Sequence, residues 1–254
     1  MKNTILEVDK LCFGFSKDKQ LLNNISFKIN EGELCLIAGA NGSGKSLLLK
    51  CLKGLLKPTS STILVNGVDV SNKSKTRGSL FGLVFQDADS QIVGQTVEKD
   101  LRFGMDNLKV KESEQISRID NISKLLNLNT KLKERPRILS GGEKRRLAIA
   151  GILVMEPQII FMDEPFANLD YPGVIQVIKS LLLLKESGHT IIIVSHEIEK
   201  VAAHADRLLL LESGNLIADG KPELLLDQLL EHGVFVPSSQ GKIIPIEEMT
   251  WLKH

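Results

Sequence analysis

The sequence predicts an α/β fold built around a parallel sheet, and two features of the chain support this prediction. Short apolar runs typical of buried strands occur at Glu33 to Ala38 and in the segments QIIFMDE and HTIIIVSH. Helical patterns separate these runs, among them the segment from about Pro172 to Glu186. Because buried strands that alternate with helices are typical of parallel sheets, we expect such a sheet at the centre of the molecule.

The remaining elements follow from the pattern along the chain. The first eighty residues alternate β-like runs with turns, in the order TILEV, ISFKI, ELCLIA and TILVNG. The segment from about Asp87 to Met155 is polar with a helical period, which predicts a mainly helical insertion. We therefore expect a core formed by residues 1–86 and 156–232, a helical subdomain at 87–155, and a short C-terminal extension at 233–254. The extension contains the only Trp and is expected either to dock or to form a loose tail.

Composition and charge exclude several classes of protein. With 254 residues, 43% of them hydrophobic and 25% charged, the chain resembles a soluble globular protein and not a disordered one. The formal net charge of +1 gives no global positive field for nucleic acid. The longest apolar stretch, Leu147 to Met155, is about half of the roughly 20 residues that a membrane span needs. The N-terminus lacks the apolar region of a signal peptide, and three cysteines suit reduced thiols, so we expect a cytoplasmic protein.

The segment GANGSGKS fits the pattern G-x-x-x-x-G-K-[ST] and lies between a predicted strand and a predicted helix. Glycines let the backbone wrap a polyphosphate, the loop N–H groups and the helix N-terminus attract its oxygens, and the lysine adds a compact charge. The serine hydroxyl suits Mg²⁺. The residues expected to bind the nucleotide here are Gly39, Asn41, Gly42, Ser43, Gly44, Lys45, Ser46 and Leu47.

Polar residues follow three other predicted strands. Asp163 and Glu164 end an apolar run, and at the carboxyl edge of a parallel sheet they would lie near the phosphate loop. There Asp163 would hold a metal, and Glu164 could polarise a water. His196 is expected to sense the γ-phosphate, and Gln86 to coordinate Mg²⁺ or hold a water. Taken alone, the acidic pair would more often be a solvated turn and the histidine a structural one.

A further motif, Leu139 to Glu143, reads as a serine cap that opens a helix. It could bind a second phosphate group, or it could be an ordinary capped helix. The basic run Lys144 to Arg146 favours a solvated helix face over a nucleic-acid patch.

Taken together and in this order, the motifs resemble the ATP-binding subunit of ATP-binding-cassette transporters over about residues 4–219. GANGSGKS resembles the Walker A loop, LSGGE the family signature, and IIFMDE the Walker B strand. Gln86 resembles the Q-loop, Asn168 to Asp170 the D-loop, and His196 the switch histidine. The resemblance implies a P-loop NTPase fold with a RecA-like parallel core, an N-terminal antiparallel β subdomain and an inserted helical subdomain.

The resemblance also implies an ATPase that works as a head-to-tail pair of cassettes. Ser140, Gly141 and Gly142 of one chain would bind the γ-phosphate held by the Walker A loop of the other, and Asp170 of the D-loop is also expected to bind the nucleotide. Phe15 falls where the family usually has an aromatic residue that stacks on adenine, although Phe13 and Phe15 share a strand face and either could belong to the core.

Within the family, QDADSQIVGQTVEKDLRFG resembles the ATPases of energy-coupling-factor importers and their cobalt or nickel relatives. This implies a subunit on the cytoplasmic face of the membrane that uses ATP and Mg²⁺ to energise uptake of a vitamin or transition-metal ion. Its partners would be a second cassette, a transmembrane coupling subunit and a small substrate-binding membrane protein, and not nucleic acid. Glu143, Leu47 and Asn168 depart from the commoner family residues, and Glu143 leaves the hydrogen bonding of the signature open.

Four alternatives remain open at this stage. The chain could serve another class of cassette transporter, or it could be a soluble cassette protein that acts on ribosomes or DNA. It could also be a P-loop metabolic kinase, or a nucleotide-binding scaffold without hydrolysis. The signature and D-loop segments argue against the kinase, and Glu164 with His196 argues against the scaffold.

Overall fold

A computed structural model describes residues 3–16 and 19–252 of the chain. Over these residues the strands form three sheets of six, four and two strands. The strands are β1 (Thr4–Ser16), β2 (Lys19–Asn30), β3 (Leu34–Ala38), β4 (Ser60–Val65), β5 (Val68–Asp69), β6 (Phe81–Val84), β7 (Ile159–Asp163), β8 (Thr190–Val194), β9 (Arg207–Glu212), β10 (Asn215–Gly220), β11 (Ser238–Ser239) and β12 (Lys242–Ile243).

The α-helices lie between these strands. They are α1 (Lys45–Lys53), α2 (Ser74–Leu80), α3 (Val97–Asn107), α4 (Glu112–Leu125), α5 (Gly141–Leu153), α6 (Tyr171–Glu186) and α7 (Leu226–Glu231). None of the helices in the described part of the chain has the length and hydropathy to cross a membrane.

The six-stranded sheet has the order β10-β9-β3-β8-β7-β6. The five strands from β9 to β6 run parallel, and β10 pairs antiparallel with β9 at one edge. Because parallel strands end at the same edge, the loops after β3, β6, β7 and β8 all leave the sheet on one side. This edge holds the phosphate loop and the polar residues predicted for the site.

Side chains of the central strands alternate between two hydrophobic cores. In β3, Leu34, Leu36 and Ala38 pack in a core formed with α3, α5 and α6, whereas Cys35 and Ile37 pack in a core formed with α1 and the four-stranded sheet. Successive side chains of a strand point to opposite faces, so a strand buried on both faces is apolar throughout. This explains the uninterrupted apolar runs in the sequence.

The four-stranded sheet, in the order β2-β1-β4-β5, is antiparallel and covers one face of α1. The α/β fold with a parallel core, an antiparallel N-terminal sheet and a group of helices between β6 and β7 confirms the predicted fold class. The exact division into residues 1–86 with 156–232, 87–155 and 233–254 stays a prediction.

Two features were not predicted. Helix α2 and the small hairpin β11–β12 lack clear periodicity in the sequence, because both are short and rich in polar residues.

The C-terminal extension docks on the body of the molecule, with Val234, Val236 and Met249 buried. The loose-tail alternative is therefore wrong for the described part of this segment.

Candidate functional site

The phosphate loop lies between β3 and α1 and lines a cavity of about 280 Å³. The loops after β6, β7 and β8 complete this cavity. All of its lining residues were predicted as site residues, and they are Asn41, Gly42, Gly44, Lys45, Ser46, Leu47, Gln86, Glu164 and His196. The parallel sheet thus brings together residues that are more than 150 positions apart in the chain.

Lys45 is the first residue of α1 and its side chain is 6% exposed. Its ammonium group donates to the carbonyl oxygens of Gly39 at 2.6 Å and Ala40 at 3.0 Å. Burial lowers the pKa of Lys45, while the carboxylates of Glu164 and Asp163 raise it. The loop therefore holds a positive charge beside two acidic groups at the N-terminus of a helix, which suits a polyphosphate with a bound cation.

Gly39 shows why the loop needs glycine at its first position. A Cβ atom there would lie 2.2 Å from the carbonyl oxygen of Leu211 in β9 and 2.7 Å from Oγ of Ser43, and the residue has φ +150°. A larger residue would push the loop away from the sheet. Gly39 and Ser43 do not line the cavity. They lie close to each other where the loop packs against β9.

Ser46 and Asp163 form the candidate metal site. The Ser46 hydroxyl donates to Oδ1 of Asp163 at 2.8 Å, and burial raises the pKa of Asp163. The amide of Gln86 faces the same cavity. Hydroxyl, carboxylate and amide oxygens are ligands that suit Mg²⁺, so these side chains fit the predicted cation.

Glu164 follows the last residue of β7 and is 7% exposed. Ser195 donates to its Oε2 at 3.1 Å, and Nδ1 of His196 lies 2.8 Å from its Oε1. Its backbone lies in the left-handed region with φ 47°, and its N–H donates to the carbonyl of Val194 at 2.9 Å. Two side chains and one backbone bond fix the carboxylate at the cavity wall, where it can accept a proton from a water.

Sequence reasoning missed Ser195, which orients Glu164. Its only signal is its place between a buried strand and His196. Glu197, the next residue after His196, also lies close, and the ligand atoms of Glu164, His196 and Glu197 are all within 4.8 Å of one another. Nδ1 of His196 already contacts Glu164, and the oxygen atoms of Ser46 and Asp163 suit a magnesium ion better than this group does.

Arg145 was also missed, and the expectation of a solvated basic run is wrong for two of its three residues. Arg145 is 2% exposed and Arg146 is 8% exposed. Arg145 donates to the carbonyl oxygens of Phe85 at 2.5 Å and Gln86 at 2.6 Å. It therefore joins the helix that begins at the signature to the Q-loop, and backbone carbonyls satisfy the donors at the end of its buried side chain.

The signature residues lie in a different cavity from Lys45. Ser140, Gly141 and Asp170 line a second cavity of about 640 Å³, which shares no residue with the first. Ser140 caps α5: its hydroxyl accepts from the N–H of Glu143 at 3.3 Å, and its own N–H donates to Oε2 of Glu143 at 2.8 Å. This capping box resolves the role of Glu143, whose pKa is lowered chiefly by the backbone N–H of Ser140.

The signature helix lies close to the helix that follows the D-loop. A Cβ on Gly142 would lie 3.0 Å from Cα of Gly173, so α5 and α6 approach each other closely here. Asp170 caps α6 by accepting from the N–H of Gly173 at 3.0 Å. Asn168 has φ 59°, a conformation that asparagine tolerates, which accounts for its presence in this loop.

Phe15 lies near the end of β1 and is 74% exposed. Its ring meets that of the buried Phe13 edge-on, with centroids 5.0 Å apart. Phe13 therefore belongs to the core and Phe15 presents an aromatic face to solvent. Phe15 does not line the phosphate cavity.

Comparison with known proteins places this architecture in a family. The sequence model of the ABC transporter family matches residues 22–167. The energy-coupling factor transporter ATP-binding protein EcfA1 of Mycoplasmoides gallisepticum is 38% identical over 252 residues, covering 98% of this chain and 90% of that protein. EcfA2 of Clostridium perfringens, which bears the same description, is 42% identical over 210 residues, covering 80% of this chain and 74% of that protein.

A solved structure supports the same family assignment. The structure of cbiO1 from Clostridium perfringens, described as part of the ABC transporter complex cbiONQ, matches with a TM-score of 0.83 and 35% identity. The match covers 89% of this chain and 92% of that chain. The protein belongs to the ABC transporter family, as an ATP-binding subunit that hydrolyses ATP. The resemblance inferred from the sequence motifs is confirmed.

Proposed function

We propose that the protein is the ATPase of an energy-coupling-factor importer, which takes up a vitamin or a transition-metal ion. The observation that carries the ATPase site is the fixed carboxylate of Glu164 in the cavity that Lys45 and Ser46 also line, with Ser46 bonded to Asp163. The importer class is supported by the descriptions of the relatives, EcfA1 and EcfA2 among them, and of the cbiO1 structure.

In this proposal each residue in or near the first cavity has its own role in ATP binding or hydrolysis. Lys45 and the N–H groups of the loop bind the phosphates, and the ring of Phe15 stacks on the adenine. Ser46, Gln86 and Asp163 hold Mg²⁺, which would neutralise phosphate charge. Glu164 accepts a proton from the attacking water, and His196 contacts the γ-phosphate.

The separation of the two cavities supports a pair of cassettes. In one chain, Ser140, Gly141 and Asp170 face a cavity without any phosphate-loop residue. We propose that a second cassette brings its signature, including Gly142, to the phosphate loop of the first. ATP then holds the two cassettes together, and its hydrolysis lets them separate. Hydrolysis is thereby coupled to a movement of the cassettes.

A groove next to the Q-loop is the proposed docking site for a helix of the transmembrane subunit. It has a volume of about 580 Å³ and is lined by apolar Ile92 and Val93 and by the basic residues Arg135, Arg137 and Lys144. Docking here would place the protein at the cytoplasmic face of the membrane, on the periphery. A small substrate-binding membrane protein would complete the importer.

The test of the ATPase site is Glu164→Gln. Loss of the proton acceptor should reduce turnover by at least about a hundredfold while ATP binding is kept, because the amide preserves the shape of the side chain. The exposed Glu31→Gln serves as a matched control. Light scattering in Mg-ATP should show Glu164→Gln as a dimer and wild type mainly as a monomer. A variant that turns over normally would contradict the assigned role.

The test of the importer class is affinity purification of the tagged protein from gently solubilised membranes, followed by mass spectrometry. A transmembrane subunit together with a small, very hydrophobic membrane protein supports the proposal, and that small protein's ligand would identify the cargo. Recovery of a paralogous cassette would indicate a heterodimer. Ribosomal or DNA-repair proteins without any membrane protein would favour the soluble-cassette alternative.

A further inference from the structure

The end of the described chain is anchored beside the loop that follows the switch histidine. Met249 is fully buried, and its carbonyl accepts a hydrogen bond from the N–H of Ala203 at 3.1 Å. Oγ1 of Thr250 lies 2.8 Å from Nε2 of His204. These contacts fix the two residues that precede Trp251, so Trp251 has a defined place in the fold.

On one side Trp251 contacts the helix that begins directly after the D-loop. Its ring stacks on that of Tyr171, the first residue of α6, with centroids 5.4 Å apart and planes at 30°. The Tyr171 hydroxyl also donates to the carbonyl oxygen of Trp251 at 3.2 Å. The chain neighbour of Tyr171 is Asp170, which lines the signature cavity.

On the other side Trp251 contacts Lys200, which is 4% exposed. The Lys200 ammonium lies 4.7 Å from the centroid of the indole ring and 2.5 Å from Oε1 of Glu197. The N–H of Glu197 donates to Oγ of Ser195 at 3.0 Å, and Ser195 in turn donates to Glu164 at 3.1 Å. A continuous series of contacts therefore leads from the indole ring to the carboxylate in the phosphate cavity.

We propose that Trp251 is a positioning residue for ATP hydrolysis. It holds the start of α6, next to Asp170, and the Lys200–Glu197 pair in one arrangement. It thereby links the surface that meets the second cassette with the group that fixes Glu164. The proposal rests on the roles assigned above to Glu164 and Asp170. Loss of Trp251 should therefore reduce turnover. Nucleotide affinity should stay nearly unchanged, because Trp251 does not line the phosphate cavity.

The test uses the full chain with Trp251→Ala, Trp251→Phe and a matched control, Phe235→Ala. Phe235 is another aromatic residue of the C-terminal extension and is 67% exposed. We expect Trp251→Ala to reduce kcat by about tenfold with less than about a twofold change in KM for ATP. Trp251→Phe keeps an aromatic face for Tyr171 and Lys200 and should recover most of the lost turnover. Phe235→Ala should match wild type.

Lys200→Met tests the route through the lysine, because it removes the ammonium and keeps an unbranched side chain. Combined with Trp251→Ala it should add little further loss, since both changes interrupt the same series of contacts. If Trp251→Ala does not fold, the kcat values of Trp251→Phe and Lys200→Met test the proposal in its place. Lys200→Met with normal kcat would then overturn the proposal, and reduced kcat at unchanged KM and Tm would support it.

Glu164→Gln, assayed in parallel, separates this proposal from the one on which it rests. Normal turnover in Trp251→Ala, with turnover lost in Glu164→Gln, overturns only the role of Trp251. Retained turnover in Glu164→Gln contradicts the assignment of the site itself. Equal loss in Trp251→Ala and Phe235→Ala would indicate a general effect of the extension and would also overturn the specific role of Trp251.

Discussion

Replacement of Arg145 by methionine should destabilise the protein strongly, although the side chain belongs to a run of three basic residues. Methionine keeps an unbranched stem in the same space and removes the guanidinium group. The carbonyl oxygens of Phe85 and Gln86, which accept from Arg145 at 2.5 and 2.6 Å, then lose this donor in a partly buried place. The change therefore isolates the hydrogen bonds from most of the packing.

The size of the effect follows from these two acceptors. A fully buried acceptor without a partner costs about 1–3 kcal/mol, so about 6 kcal/mol is the upper limit for these two partly buried acceptors. Burial lowers the pKa of Arg145, which means that the surroundings oppose its charge, and removal of that charge offsets part of the cost. We therefore expect a loss of about 3 kcal/mol, which corresponds to a fall in Tm of about 6–12 °C for a protein of this size.

Thermal unfolding followed by far-UV circular dichroism measures this difference. The matched control is Lys144→Met on the same helix, whose ammonium pairs with Asp89 at 2.7 Å. That carboxylate is 68% exposed, so the pair should contribute less than about 1 kcal/mol. A Tm for Arg145→Met within about 2 °C of that of Lys144→Met would refute the reasoning.

Phe15→Ala should weaken ATP binding by about tenfold with little change in Tm, because the ring is mostly exposed, meets Phe13 only at an edge and would stack on the base; an unchanged Kd, measured with a fluorescent nucleotide and with Phe235→Ala as control, would contradict this. Asp163→Asn should abolish turnover and raise Tm near pH 7. Burial raises the pKa of Asp163, so its stabilising contribution is complete below its ordinary pKa of 3.8 and is lost as the pH rises through the folded-state pKa. The gain in Tm should therefore disappear near pH 4, and a lower Tm at neutral pH would contradict the argument.

Much of the fold could be predicted because its elements have strong local signals. The buried strands β3, β7 and β8 are apolar apart from Asp163 at the end of β7 and Thr190 at the start of β8, and α6 begins within one residue of its predicted start at Pro172. Short polar elements such as α2 were missed, because seven residues without periodicity give no local signal.

The sequence by itself determined which residues meet around the phosphate-loop cavity, since they stand at the ends of predicted parallel strands and such ends meet at one edge of the sheet. Only the tertiary structure decided which neighbouring side chains are structural. Arg145 and Lys144 are adjacent and chemically alike, yet Arg145 is buried against the Q-loop and Lys144 pairs with an exposed Asp89. Likewise, nothing in the local sequence indicates that Trp251 meets Tyr171. Such contacts join residues far apart in the chain, and burial there depends on how whole elements pack and not on local pattern.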